Sequence, residues 1–291
     1  MSGRGTITTL PFEYTFGGQT FPGARCGSCG LIFVSVQPDR KALEEMYGTP
    51  YFESDFRCGS APAAYFAEEK PFRREAISIL ALITRLTGKK AGRLLEIGCA
   101  GGWLLKAAEN AGWKATGVEI SPQAAAFART ELGLDVFEGS LAEAAFPPGT
   151  FDVIYMGDVL EHIPDPVGLV LELKRTLAAG GCVVAGGPTA LNALARRLGL
   201  AVYRALGKTK TIELPPYHLF EYTPRTIRRL FESAGLEVFH LEPKKIPPRL
   251  RKVTLEEILT YAIELLTFPI SAAFGVWTDR VILCARKPEE A

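Results

Sequence analysis

Histidine is scarce in this chain, three in 291 residues, and net charge is nearly absent, with 33 Lys and Arg against 32 Asp and Glu. A balance of +1 leaves no overall field to steer the chain toward nucleic acid or an anionic membrane. The first residues, MSGRGTITTLPFEY, hold no apolar core of signal-peptide length. No later stretch reads as the roughly 18 consecutive apolar residues of a spanning helix. A cytoplasmic protein without nucleic-acid or spanning-membrane partners is the expectation. The six cysteines are scattered (Cys26, Cys29, Cys58, Cys99, Cys182, Cys284), which suits reduced thiols better than a disulfide framework. Only Cys26 and Cys29 have the spacing of metal ligands. No second C-x-x-C precedes them to complete a four-ligand site, so no metal is expected.

What is abundant is apolar sequence, 47% of the chain, enough for one large α/β domain with appendages or for two domains. From about residue 93 short apolar runs alternate with helical ones: RLLEIGC then WLLKAAENA, KATGVEI then PQAAAFARTEL, DVFEGS then a proline-rich loop, FDVIYMGDV then VGLVLELKRTLA, and CVVAGGP last. Near-continuous apolar strands separated by helices predict a parallel sheet covered on both faces. Ser121-Pro122 and Thr223-Pro224 are helix starts. Gly180-Gly181 reads as the stop of a helix that places Val167, Val170, Leu173 and Leu177 on one face. The last strand is predicted at 280–287. Three segments fall outside the alternation: the aromatic and glycine-rich N-terminus, a basic helical insertion at about 189–217, and a stretch at about 244–279 that opens KKIPPRLRK and continues as an amphipathic helix.

The turn inside RLLEIGCAGGWLLKAAENAG, Arg93 to Gly112, lies between a strand and a helix, where backbone N–H groups can approach a ligand. A dinucleotide fingerprint G-x-G-x-x-G would need glycine where Gly98, Ala100 and Trp103 stand, and Trp103 is the bulkiest possible substitute for the third. No Lys-Ser or Lys-Thr follows the glycines, which excludes a G-x-x-x-x-G-K-[ST] phosphate loop. The residues fit instead an acid-x-Gly-x-small-x-Gly pattern: Glu96, Gly98, Ala100, Gly102.

In that form the chain resembles the class I S-adenosylmethionine-dependent methyltransferases, small-molecule branch, and the resemblance runs from about residue 70 to 243 plus the last strand. Glu119, followed by Ile120, stands 21 residues after Gly98, at the end of the second strand. There the family keeps an acid for both ribose hydroxyls. Ser140-Leu141 follows the third strand, where the family flanks the adenine. GTFDVIYMGDVLEHIPDP, with Asp158, is similar to the fourth-strand motif, and LAAGGCVVAGGP to the fifth-strand turn. The resemblance implies a doubly wound, mostly parallel, seven-stranded Rossmann-like sheet spanning 70–291. Residues 1–69 would form a cap on the substrate side. It also implies S-adenosyl-L-methionine as cofactor and a small-molecule acceptor. The acids Glu96, Glu119 and Asp158 suit a cationic donor without phosphates. Ala100 in place of the commoner middle glycine is tolerated if φ there stays negative. Cys26 and Cys29 look like the second half of a zinc ribbon found before such domains.

Methyl transfer is an in-line displacement, so the protein mainly holds two reactants close and aligned, and a base is needed only for a protonated nucleophile. His162, after the fourth strand, and His218, in PPYHLFEYTP with Tyr217 and Glu221 beside it, are the candidate bases. His240, inside GLEVFHLE, reads as structural. Tyr47, Tyr51, Phe52, Tyr65 and Phe66 either line an acceptor pocket or pack the N-terminal segment. KKIPPRLRK is either a solvated loop or a receiver for an anionic group. LLTFPISAAFGVWT, with its uncharged run, is a buried lid or an interfacial contact. The alternative function is a non-catalytic module or partner subunit that keeps the cofactor fold. A dinucleotide oxidoreductase would require Trp103 to fit against the strand.

Overall fold

The computed structural model describes residues 6–46, 69–250 and 253–289. The chain opens with β1 (Ile7–Phe16), β2 (Gln19–Cys26), β3 (Ile32–Val34), α1 (Arg40–Met46) and α2 (Glu69–Thr87). The alternating part follows: β4 (Gly92–Ile97), α3 (Trp103–Asn110), β5 (Trp113–Glu119), α4 (Pro122–Thr130), β6 (Asp135–Glu138), α5 (Leu141–Ala144), β7 (Phe151–Gly157), α6 (Pro166–Thr176) and β8 (Leu177–Pro188). The chain closes with α7 (Leu194–Ala205), β9 (Lys210–Ile212), β10 (Phe220–Glu221), α8 (Pro224–Ser233), β11 (Glu237–Lys244), α9 (Leu255–Phe274) and β12 (Arg280–Arg286).

Seven strands form the main sheet in the order β11-β12-β8-β7-β4-β5-β6. Pairings from β8 to β6 are all parallel, and β12 and β11 add an antiparallel edge. This is the doubly wound α/β sheet, and its cause is visible in the strands. Leu94, Leu95, Val153, Ile154 and Val183 are wholly buried on alternating faces, so helices must cover both sides. Each such side chain contributes roughly 1.5–3 kcal/mol by leaving water. The chain order reverses at β4, between β5 and β7, and the carboxyl ends of strands at such a reversal form a ligand crevice.

Local signals set the helices. Ser121 caps α4 and Thr223 caps α8, each accepting a backbone N–H, with proline in the first turn. The helix predicted to run to Gly180-Gly181 instead stops at Thr176, because Leu177 is extended and joins β8 opposite Phe151 with its side chain fully buried. Val170 and Leu173 face the core, whereas Val167 is exposed.

A second sheet, in the order β10-β3-β2-β1-β9, is assembled from the N-terminal strands and two short strands within 210–221. β9 lies parallel to β1, and β10 pairs antiparallel with β3. Thus the N-terminal strands are flanked on one edge by the insertion after β8 and on the other by the segment that follows it.

The stretch around 244–279 differs from its expectation in two ways. α9 extends back through Glu264 to Leu255 and is, by length and composition, apolar enough to cross a membrane. It is not a buried lid: only 11% of its most apolar window is buried, and Leu266 and Phe274 are largely exposed. Nor is KKIPPRLRK wholly solvated. The Lys245 side chain is 2% exposed and ion-paired with both Glu264 of α9 and, at 3.1 Å, Asp279. Glu264 also accepts the Ala195 backbone N–H at 3.3 Å, so this one charge ties α9 to the start of α7.

Candidate functional site

The turn after β4 is held by its own backbone. Gly98 N–H and Cys99 N–H donate to the Val118 carbonyl at 2.8 and 3.2 Å, and Gly102 N–H donates to the Cys99 carbonyl at 2.8 Å. Gly98 has φ +69°, and a Cβ there would meet Val159 Cγ2 at 2.6 Å, so this position admits only glycine without rearrangement. Gly102, φ +81°, packs so closely that a Cβ would strike Leu134 Cδ1 at 2.4 Å. Its smallness lets α3 approach α4 and the segment before β6. Ala100 corrects an expectation: its φ is +49°, left-handed rather than negative. The glycine missing from the pattern is missing from a position that would have favoured it.

Glu119 is the partner that fixes this conformation. Its carboxylate accepts Ala100 N–H at 2.7 Å and Ser121 N–H at 2.9 Å, with the residue 5% exposed. It also reaches the wall of a cavity of about 430 Å³ at the carboxyl ends of β4, β5, β6 and β7. Gly98, Ile120, Ser140 and Leu141 line the same cavity, as do Asp158 and His162 from the far side. Seven residues singled out in the sequence therefore meet in one space. Glu96, Ala100 and Gly102 stand outside its wall, within the turn and strand that shape it. Val159, Leu169 and Glu172 line it too and were not singled out. Their signal is their place after β7 and on the first turns of α6.

The three acids differ. Glu96 is buried, and burial, reinforced by the charge of Glu119, raises its pKa well above the ordinary value against the pull of the Leu105 N–H. Among the described residues its Oε2 has no hydrogen-bond partner. Asp158, at φ +54°, is instead ion-paired with Arg280 at 2.6 Å, so its charge is largely offset by a residue that carries no signal in the sequence. Ser140 caps α5: its hydroxyl oxygen accepts the Glu143 N–H at 3.3 Å and the Glu143 carboxylate accepts the Ser140 backbone N–H at 2.8 Å, a reciprocal capping box.

The two histidines, 56 positions apart in the chain, come together with ring centres 5.1 Å apart and planes nearly perpendicular. His162 Nδ1–H donates to the Tyr217 carbonyl at 2.7 Å, which ties the β7 loop to the segment carrying His218. His218 Nδ1–H donates to the Glu221 carboxylate at 3.2 Å. Burial lowers the His218 pKa, but Glu221, with Glu161 and Asp158 behind it, outweighs this, and the net shift is upward. Glu161 is buried, and desolvation pushes its carboxyl up to about 7. Glu161, His162 and His218 offer ligand atoms within 4.8 Å of one another, close enough to share a cation. His240 lies on β11 beside Glu242, away from this group.

Cys26 ends β2 and Cys29 sits in the turn that leads to β3. There the Ser28 hydroxyl and the N–H groups of Cys29 and Ser28 lower the Cys26 pKa to about 6. Cys58 and the aromatics Tyr47, Tyr51, Phe52, Tyr65 and Phe66 lie outside the described residues.

Comparison with known proteins gives one family. Residues 71–241 match the model of a methyltransferase domain. A ubiquinone biosynthesis O-methyltransferase of Thiobacillus denitrificans is 34% identical over 181 residues, 59% of this chain and 74% of that protein. One from Aromatoleum aromaticum is 30% identical over 185 residues, 60% of this chain and 76% of its own length. In fold, an S-adenosylmethionine-dependent methyltransferase of Archaeoglobus fulgidus superposes with a TM-score of 0.51 at 19% identity, covering 77% of this chain and 99% of that one. These relatives are named as enzymes, which does not favour a non-catalytic module. With the glycine turn, the acid after β5 and the crevice at the sheet's reversal in place, the chain belongs to the class I methyltransferases, enzymes that take S-adenosyl-L-methionine as methyl donor.

Proposed function

We propose that the chain methylates a hydroxyl oxygen of a small-molecule acceptor, with the donor in the 430 Å³ cavity and His218 as the base. The donor supplies an electrophilic methyl group on a cationic sulfur. The residues present fit such a ligand: a buried carboxyl oxygen of Glu96 has no hydrogen-bond partner among the described residues, and a positive charge beside it would draw its raised pKa back down. Glu96, Gly98 and Glu119 would hold its amino-acid and ribose portions, with Ala100 and Gly102 keeping the turn in shape. Ile120, Ser140 and Leu141 would border its base, and Asp158 and His162 the reacting end.

The observation that carries the oxygen assignment is the His218–Glu221 pair. A neutral amine or a thiolate attacks without help, whereas a hydroxyl must lose its proton, and an imidazole with a carboxylate behind it accepts that proton near neutrality. With Nδ1–H committed to Glu221, Nε2 is the accepting atom. Glu221 then steadies the imidazolium that forms. His162 would position rather than exchange protons, since both its ring nitrogens face protein oxygens, Nδ1 the Tyr217 carbonyl at 2.7 Å and Nε2 the Glu161 carboxyl at 3.7 Å. The relatives' naming as O-methyltransferases supports the same reading.

The test is turnover of S-adenosyl-L-methionine with matched panels of phenols, amines and thiols, the products identified by mass spectrometry. Methylated phenols, lost with His218→Ala, are expected. Turnover of amines alone would overturn the oxygen assignment.

A further inference from the structure

A second and larger space, about 710 Å³, lies between the N-terminal sheet and α7. Its lining divides by chemistry. Leu10 and Ile32 from the sheet, with Leu191, Leu200 and Tyr222, supply an apolar floor. Arg25 of β2 and Arg197 and Arg204 of α7 stand exposed at its edge. Residues 197, 200, 201 and 204 recur at helical spacing, so α7 turns one stripe, two arginines with apolar residues between them, toward the cleft.

Glu221 is the one acid in this lining, and its carboxylate already bonds His218 Nδ1 at 3.2 Å and the Leu191 N–H at 3.5 Å. Three arginines therefore border a space whose single carboxylate is committed elsewhere; of the three, Arg204 also donates to the Thr9 carbonyl at 3.5 Å. Guanidinium groups recognise carboxylates through paired, charge-assisted hydrogen bonds. At the inner end, Glu221 leads to His218, His218 packs on His162, and His162 lines the donor cavity. The histidine pair thus links the lining of one space to the lining of the other.

We propose that this cleft seats the non-reacting part of the acceptor. That part is an apolar body ending in a carboxylate, with the body on the floor and the carboxylate on Arg25, Arg197 and Arg204. The acceptor is then an apolar hydroxy acid whose hydroxyl and carboxylate lie at opposite ends. The assignment rests on the O-methylation reading only for the hydroxyl at the inner end. The cleft and its arginines stand independently of it.

The experiment uses the full chain saturated with S-adenosylhomocysteine and two fluorescent probes: 6-hydroxy-2-naphthoate, and 2-naphthol, which lacks the carboxylate. The naphthoate is expected to bind about tenfold tighter or more at low salt, the range of a charge-assisted hydrogen bond, and to lose this advantage as salt rises. Arg197→Gln and Arg204→Gln on α7, and independently Arg25→Gln on β2, should each reduce naphthoate affinity several-fold. 2-Naphthol and S-adenosylhomocysteine affinities should not change, and the latter serves as the control for folding. Equal binding of the two probes overturns the proposal, as does naphthoate affinity indifferent to all three substitutions. So does competition between naphthoate and S-adenosylhomocysteine, or an absence of saturable binding up to millimolar naphthoate. Arginine-dependent naphthoate binding without methylation, in a protein that methylates amines, would remove the oxygen assignment and leave the cleft standing.

Discussion

The two sides of this enzyme, proposed above for donor and acceptor, are built from different materials. On the donor side, residues 92–188, the backbone sets the geometry: left-handed Gly98, Ala100 and Gly102, and N–H groups gathered on one carboxylate. On the acceptor side the geometry comes from side chains and long-range pairing. β9 joins β1, β10 joins β3, and the Tyr217 carbonyl reaches back 55 residues to His162 at the border of the donor side. Backbone turns demand particular residues at fixed spacing, whereas a strand pairing across the whole chain constrains little at any one position. The first kind of site admits few sequences; the second admits many.

The largest effect expected from this contrast is on turnover. His218→Ala should lower kcat by about 10²- to 10⁴-fold, the usual cost of a general base, with donor affinity nearly unchanged, because His218 does not line the donor cavity. His162→Ala should disturb both. The base works when neutral, so kcat should rise with pH through a His218 pKa above its ordinary value. Glu221→Gln removes a principal raising partner, so that limb should move to lower pH as the rate falls. An unmoved limb, or a His218→Ala variant that keeps its rate but loses the donor, would reverse the assignment of the two sides.

How far each side can be read from sequence follows the same contrast. Glu96, Gly98, Gly102 and Glu119 are legible because a glycine turn between two buried elements, followed by an acid at the next strand end, is rare except around a ligand. The seven-strand order comes by resemblance; the alternating stretch and residues 280–287 mark β4 to β8 and β12, and leave β11 unmarked. α2 lies before that stretch and escapes the alternation, although AISILALITRL carries a helical stripe; Ile83 and Ala76 are buried against the sheet. Arg280 beside Asp158, Tyr222 near Glu161 and the arginine-edged cleft have no local signal, since each depends on segments brought together by the fold. Lys245 misleads for the same reason: in sequence it belongs to a basic run, and in space to two acids.

Lys245 offers the next test, on stability. Lys245→Ala leaves Glu264 and Asp279 facing each other without a cation, and breaking such a pair costs about 3 kcal/mol, the lower part of the range because Asp279 retains some solvent. Thermal unfolding should fall by several degrees. Donor affinity measured below the transition should hold, because the lost contact braces α7 and α9, not the glycine turn. A large donor effect would show that the two sides are mechanically one.

Glu119 probes the donor side directly. Glu119→Ala should weaken donor binding by about 1.5–3 kcal/mol, and it also strips the Ala100 and Ser121 N–H groups of their acceptor. Glu119→Gln keeps one acceptor oxygen for that loop, so its stability should recover more than its donor affinity. Calorimetry with S-adenosylhomocysteine separates the two. Affinity within twofold of wild type in both variants would reduce Glu119 to an anchor of the turn.

The smallest effect tests the backbone argument itself. At an ordinary helical position such as buried Ala108, alanine to glycine removes a buried methyl, about 0.8 kcal/mol, and adds unfolded-chain freedom worth about 0.4–1 kcal/mol. At Ala100 the same two losses apply, but its φ of +49° carries a strain of about 1–2 kcal/mol that glycine lacks. The terms nearly cancel. Ala100→Gly should therefore leave unfolding free energy within about 0.5 kcal/mol of wild type, while Ala108→Gly costs at least about 1 kcal/mol. Paired denaturant titrations decide it, because each variant is the other's control for the loss of a methyl. Equal losses at the two positions would mean that Ala100 is unstrained with φ negative, the condition under which the sequence reading tolerates alanine there, and that the turn owes less to its backbone than the comparison of the two sides requires.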